Sequence, residues 1–430
     1  IMDKAEAINK EVISYGNCDY EKRSRRIDRL LTSRITGIPI MIILLMFIFW
    51  LTITGANYPS QILFDFFSSL SNYFVSINNW LHLPSWLNVL LVGGIYKTLS
   101  WVVAVMLPPM AIFFPLFTLL EDLGVLPRIA FNLDRGFQKC NACGKQALCM
   151  MMGFGCNAVG VTGTRIIDSK RERLLAILTN NFVPCNGRFP TIILLISIFM
   201  VGSGKFMSFF QVVILTLFIL LGVGMTLLIS WLLSKTLLKG MPSSFTLELP
   251  PYRKPQILKV IVRSIFDKTL HVLGRAIIVT IPAGTIIWLL ANINISGVSI
   301  LMHINNFLDP FGKLIGLDGV IITAFILAYP ANEILIPIMI MSYLSLGTIT
   351  DYSSILELKT LFIDNGWTIL TAINTILFSL MHFPCSTTCL TIKKETNSIK
   401  WMIYSMIIPT ICGITMCLIT TIVYKLLITL

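Results

Sequence analysis

Five runs in this sequence, residues 38–54, 101–120, 206–234, 276–293 and 402–424, are apolar and almost free of charge. An α-helix needs about 20 such residues to cross a bilayer core. Lipid offers no partner to free backbone N–H and C=O groups, so a chain of this kind can cross only as helices or as a closed barrel. The runs are too long for barrel strands. Of all residues 55% are hydrophobic and only 13% charged, where a soluble domain carries roughly 25% charged residues. The fold class that follows is all-α, a polytopic transmembrane helical bundle embedded in the lipid bilayer.

The formal net charge of +12 would raise nucleic acid as a partner in a soluble chain. Here the basic residues fall in short segments between apolar runs, the pattern of the positive-inside rule. The charge therefore reads as topology, and no nucleic-acid partner is implied. Lys22, Arg23, Arg25, Arg26, Arg29 and Arg34 place the N-terminus in the cytoplasm. Residues 1–35 read as a helical lead-in with no signal-peptide pattern. Residues 36–125 hold two spans, about 36–55 and 99–120, joined by an external stretch. Within that stretch, residues 61–81 mix aromatic with polar side chains, as a helix at the interface does. Pro108-Pro109 predicts a kink in the second span.

Residues 126–234 form a first unit. Its apolar stretch 145–167 is interrupted by Gly153-Phe154-Gly155-Cys156-Asn157 and flanked on both sides by Lys145, Arg165, Lys170 and Arg171. A segment that begins and ends on the positive side does not cross, so the pattern predicts a re-entrant hairpin. A span over 171–200 follows, interrupted at Val183-Pro184-Cys185-Asn186-Gly187-Arg188, and 206–234 crosses back. Residues 235–271 are a basic cytoplasmic loop. Residues 272–318 cross outward past Pro282 and continue as an external amphipathic segment. In the second unit, 319–430, Asp351, Glu357 and Asp364 mark an external loop, and the lysines of 393–400 a cytoplasmic one. Both land correctly only if 319–346 is a second re-entrant hairpin, broken at Tyr329-Pro330-Ala331-Asn332-Glu333 and entering from the opposite side. The next span, 367–392, is broken at Phe383-Pro384-Cys385, and a last one runs over 402–424. Two units of opposite orientation, each pairing a re-entrant hairpin with a broken helix, are the mark of an inverted-repeat transporter.

Irregular backbone at membrane depth survives only where it lines a cavity or is buried in protein, so the four breaks are the candidate pathway. They carry Cys156, Cys185, Cys385 and Glu333 as candidate metal ligands. Asn157, Asn186, Asn332, His382, Ser386 and Thr387 are candidate lining residues. Thiolate, carboxylate and amide oxygen together suit a borderline first-row divalent metal better than Mg²⁺ or Ca²⁺. Cysteine also buries as a plain small hydrophobe, the reading that fits Cys389, Cys412 and Cys417. The Cys140-Asn141-Ala142-Cys143 pair lacks the second pair a zinc site needs. Gly202-Ser203-Gly204-Lys205 fails as a P-loop because residues 199 and 206 are both Phe. No catalytic motif appears, so the chain reads as a transporter and not an enzyme.

Gly153-Phe154-Gly155-Cys156-Asn157, the run from Arg171 through Asn180-Asn181-Phe182-Val183-Pro184-Cys185-Asn186-Gly187-Arg188, and Phe245-Thr246-Leu247-Glu248-Leu249-Pro250-Pro251-Tyr252-Arg253 resemble the ferrous iron transporter B family. So do Pro330-Ala331-Asn332-Glu333-Ile334 and Phe383-Pro384-Cys385-Ser386-Thr387-Thr388. The resemblance implies a multi-pass importer of the bacterial inner membrane. Fe²⁺ would be the transported substrate, the two units above its Gate regions, and Cys156, Cys185 and Cys385 its cysteines. It also implies a cytoplasmic G domain. That domain's P-loop is absent from these residues, so GTP would act only through a domain lost by truncation or supplied in trans. The family's small soluble partner would bind on the cytoplasmic side, and homo-oligomeric assembly stays open. A nucleoside or other small-solute carrier with Gate-type repeats is the alternative.

Overall fold

The computed structural model describes residues 28–82, 84–201, 207–240, 256–295, 297–348 and 355–429. The N-terminal basic cluster before Asp28, Cys18, Gly202–Lys205 and the 245–253 motif lie outside the described residues. Seven helical stretches among those described are long and apolar enough to cross a membrane. Among the described residues helix is the only regular structure apart from one two-residue antiparallel ladder, Asn294–Ile295 with Val298–Ser299. The chain is a multi-pass, all-α membrane protein.

The first helix, α1 (Arg34–Trp80), is 47 residues long, about 70 Å at 1.5 Å per residue. The separate interfacial helix expected over 61–81 is instead the upper half of α1. Pro39 and Pro59 lie inside it without ending it, because the next helix is packed along its length. That partner, α2 (Lys97–Asp122), continues a helical lead-in from Ser85. The two run antiparallel: Phe49 stacks on Phe113, Phe64 meets Trp101 edge-on, and the Tyr96 hydroxyl donates to the Phe67 carbonyl at 2.9 Å. Ladders of aromatic contacts of this kind add to area burial and pack α2 against α1 beyond its prolines.

After a left-handed turn at Gly124, α3 (Val125–Lys139) buries Arg128, which is 2% exposed and bonds Asp28 at 2.7 Å. The first hairpin is α4 (Lys145–Gly155) and α5 (Asn157–Gly163), with the break confined to Cys156. Gly153 was expected in the break but is helical. Its missing Cβ leaves room for the Asn180 amide, which a methyl there would meet at 2.9 Å. At the hairpin's base Lys145 bonds Asp168 at 2.7 Å and holds that exposed carboxyl below the usual carboxylate range. The broken span is α6 (Lys170–Thr179) and α7 (Phe189–Phe199), with two short 3₁₀ turns between them. Then come α8 (Met207–Lys235), α9 (Ile257–Ser264) and α10 (His271–Asn292).

Ahead of the second unit stands α11 (Ile300–Leu314), an amphipathic helix that bends by 112° into the unit's first helix, α12 (Gly319–Leu327). Asp318 caps α12 by accepting from the Ile321 N–H at 2.6 Å. The hairpin returns through residues 328–334 into α13 (Leu335–Tyr343), and α14 (Ile355–Asp364) follows. The second broken span is α15 (Ile369–Met381) and α16 (Ser386–Thr396), and α17 (Ile399–Thr429) ends the described chain. The two units meet at α5 and α16, which pack together, with Arg165 making a two-pronged bond to Glu395 at 2.9 and 2.6 Å.

Candidate functional site

All four breaks converge, and in pairs they share one backbone solution. Cys156 is extended at φ −155°, ψ 126°, and Ala331 at φ −153°, ψ 120°. Each precedes an Asn that starts the next helical turn, so Asn157 corresponds to Asn332 and Cys156 to Ala331. Cys185 (φ −85°, ψ 168°) and Cys385 (φ −63°, ψ 160°) form the second pair, each following a Pro. Proline fixes its own φ and excludes the preceding residue from the helical region, which is why the helix stops there. Cys156, Cys185 and Cys385 all stand at the N-cap of the turn that follows, and none of their side chains accepts a capping bond from its backbone N–H groups. The thiols are left to face the space between the units.

That space is a cavity of about 40 Å³. Its lining includes Cys156, Cys185, Cys385 and Glu333 together with Asn157, Asn186, Asn332 and Thr387. Eight of the ten residues picked from sequence therefore share one cavity. His382 and Ser386 do not line it. The His382 ring lies with Nδ1 2.9 Å from the Ser379 carbonyl and Nε2 3.3 Å from Asn332 Oδ1. The Ser386 hydroxyl donates to the Pro330 carbonyl at 3.3 Å, and its N–H donates to Tyr329 at 2.9 Å. Both side chains build the wall by tying the hairpin break to the span break. Among the described residues no three His, Cys, Asp or Glu side chains form a group that could hold one metal ion. The donors are spread around the cavity and do not form a closed cage.

Glu333 is 7% exposed. Its carboxylate rests against Gly187, where a Cβ would collide with it, so the glycine is required by close approach between the units. The Trp101 indole N–H donates to the Glu333 carbonyl at 3.1 Å and fixes the break from the α2 side. Met106 and Met110, further along α2, complete the lining.

Sequence reasoning passed over Arg188 and Asn181. Arg188 is 1% exposed and reaches from the first break into the second. It donates to the carbonyls of Asn181 at 2.9 Å and Leu380 at 2.8 Å, and to Asn181 Oδ1 at 3.0 Å. Longer bonds run to the carbonyls of His382 (3.3 Å) and Phe383 (3.4 Å). These lie at and just past the end of α15, where a helix leaves carbonyls unpaired and carries partial negative charge. The Asn181 amide adds a bond to His382 O at 2.6 Å. A cation inside an apolar span is functional by default. The rule that singled out Glu333 would have found Arg188 as well.

Comparison with known proteins agrees with this architecture. The family described as "Nucleoside recognition", the Gate family, matches residues 103–199 and 273–399, the two units that carry the breaks. "Ferrous iron transport protein B C terminus" matches residues 215–267 between them. The "Fe(2+) transporter FeoB" of Staphylococcus aureus is 30% identical over 420 residues, covering 94% of this chain and 60% of its own. That of Methanocaldococcus jannaschii is 27% identical, covering 93% and 59%. The "Fe(2+) transport protein A/Fe(2+) transporter FeoB fusion protein" of Porphyromonas gingivalis is 24% identical, covering 89% and 49%. The chain thus spans about 60% of the length of the first of these relatives. No solved structure matches it. With both Gate units, the intervening segment and the relatives' membrane region accounted for, the chain belongs to the ferrous iron transport protein B family and carries its Gate and C-terminal membrane portion.

Proposed function

We propose that this chain is the membrane pathway of a ferrous iron importer, in which Fe²⁺ passes between the two Gate units through the cysteine-lined cavity. The observation that carries the reading is the convergence of three thiols and one carboxylate, from four separate breaks, on one small space. Thiol sulfur with carboxylate and amide oxygen favours Fe²⁺ over the hard cations Mg²⁺ and Ca²⁺. The open spacing of the donors supports transit, because conduction needs binding weak enough to release. The named function of the relatives, Fe(2+) transport, supports the metal.

In this reading the N-terminus faces the cytoplasm of a bacterial inner membrane, and the two units are inverted with respect to one another. Regulation by GTP would come from a G domain outside these residues. A small partner homologous to the first half of the Porphyromonas fusion would bind the cytoplasmic face. The Gate family's description also raises a nucleoside carrier, the reading that competition of uptake by nucleosides would favour.

Uptake into liposomes tests the proposal. Cys185→Ser and Cys385→Ser should each abolish Fe²⁺ uptake while the protein still inserts, and nucleosides should not compete. Full uptake in both variants would remove the pathway.

A further inference from the structure

A second, much larger cavity of about 550 Å³ lies between α1, α2, α7 and the second hairpin. Its polar lining is Ser60, Gln61 and Asp65 of α1, Thr191 of α7 and Glu333. Glu333 thus lines both cavities, and it is the titratable group they share. We infer that this chamber is a loading site, where Asp65 collects a hydrated divalent cation that sheds water at Glu333 before entering the cysteine cavity. The inference rests on the proposed transport and adds the place where the ion is captured.

Three observations support it. First, Glu333 is buried at 7% exposure; its carboxylate bonds its own backbone N–H, and among the described residues no cationic side chain pairs with it. A buried carboxylate without a counter-charge is costly and has a use for a cation. Secondly, Asp65 is exposed in the aromatic run Phe64-Asp65-Phe66-Phe67. A carboxylate in hydrocarbon would be strongly unfavourable, so the chamber is aqueous. Asp65 stands 11 residues beyond the apolar run 38–54 of α1, about 16 Å further along the helix, at the end away from Arg34. Thirdly, the two volumes differ in what they can hold. Six waters, each needing about 10–15 Å³ of such volume, fit the 550 Å³ chamber and not the 40 Å³ cavity. Dehydration therefore falls at the shared boundary. Trp101 forms part of that boundary, held edge-on by Phe64 at 5.6 Å and bonded to the Glu333 carbonyl.

The chamber offers the ion only oxygen ligands, which accept Mn²⁺, though less tightly than Fe²⁺. Mn²⁺ titration of the full chain in liposomes, followed by electron paramagnetic resonance, reads this site directly. Asp65→Asn should weaken binding about fivefold, the value of one charge contact near 1 kcal/mol. Asp364→Asn, the same charge change on the exposed α14, should bind as the parent does. Unchanged affinity in Asp65→Asn, or equal weakening in Asp364→Asn, would overturn the loading site. Fe²⁺ uptake on the same samples separates the two ideas. Asp65-dependent Mn²⁺ binding without cysteine-dependent Fe²⁺ uptake would keep the site and refute the transport reading.

Discussion

Arg188→Met tests whether the two Gate units are held together by one guanidinium. The side chain makes five hydrogen bonds, at 2.8 to 3.4 Å. In the variant the His382 carbonyl keeps its bond from Asn181 at 2.6 Å. The carbonyls of Leu380, Phe383 and Asn181 lose the arginine. Each buried acceptor left unpaired costs about 1–3 kcal/mol. Against that stands relief of a buried cation whose Nε has no partner. The net expected loss is about 3–5 kcal/mol, the range for removing one member of a buried charged network. Unfolding of the full chain in mixed micelles by added SDS, followed by tryptophan fluorescence, measures it. Arg188→Lys keeps the charge but not the planar fork and should recover only part of the loss. A Met variant with the parent's midpoint would refute the network. A Lys variant that recovers everything would show that charge alone, not fork geometry, is required.

Two further substitutions probe how the hairpins are pinned. The Tyr343 hydroxyl donates to Asp318 and accepts from the Trp367 indole N–H at 2.8 Å, closing the base of the second hairpin. Tyr343→Phe should cost about 1–3 kcal/mol and speed amide exchange in the first turn of α12; parent-like exchange would show the bond to be dispensable. A Cβ on Gly160 would lie 2.7 Å from both amide atoms of Asn180 and 2.9 Å from the Cys149 carbonyl. Gly160→Ala should therefore displace the Asn180 bond to the Asn157 carbonyl, normally 3.1 Å, costing about 1–3 kcal/mol. Fe²⁺ uptake should fall with insertion unchanged, and parent-like uptake would show that the first break tolerates the shift.

The bundle and its breaks were legible in the sequence because each rests on a local rule. Span length follows from bilayer thickness, and Pro184 and Pro384 each remove a backbone donor and bar the residue before them from the helical region. The continuity of α1 through Pro59 was not legible, since it depends on Tyr96, Trp101 and Phe113 packing from another helix. The cavity lining was mostly legible, because polar residues at a break must face something other than lipid. His382 and Ser386 share that polarity, yet their backbone positions turn them onto neighbouring carbonyls. Composition at a break does not distinguish a lining residue from one that ties the break together. Arg188 was legible in principle, but its partners lie some 190 residues away and have no local signature.

The residues at Pro184-Cys185 and Pro384-Cys385 align at a spacing of 200, which sets Arg188 against Thr388. The two breaks are alike in backbone and unlike in charge, and this bears on which atoms can meet an ion. Carbonyls freed at half-helix ends are ordinarily cation ligands in broken-helix transporters. In the second unit the carbonyls of Leu380, His382 and Phe383 are already taken by Arg188 and Asn181. What lines the cavity from that break is Cys385, at the N-cap of α16 with Thr388 Oγ1 3.3 Å from its sulfur, together with Thr387. An arginine that occupies hard oxygen donors leaves a set weighted towards sulfur. Such a set discriminates by ligand softness, favouring Fe²⁺ over the far more abundant Mg²⁺. In the proposed pathway Arg188 would thus link the cohesion of the two units to the choice of ion, by occupying oxygen donors rather than by repelling the cation.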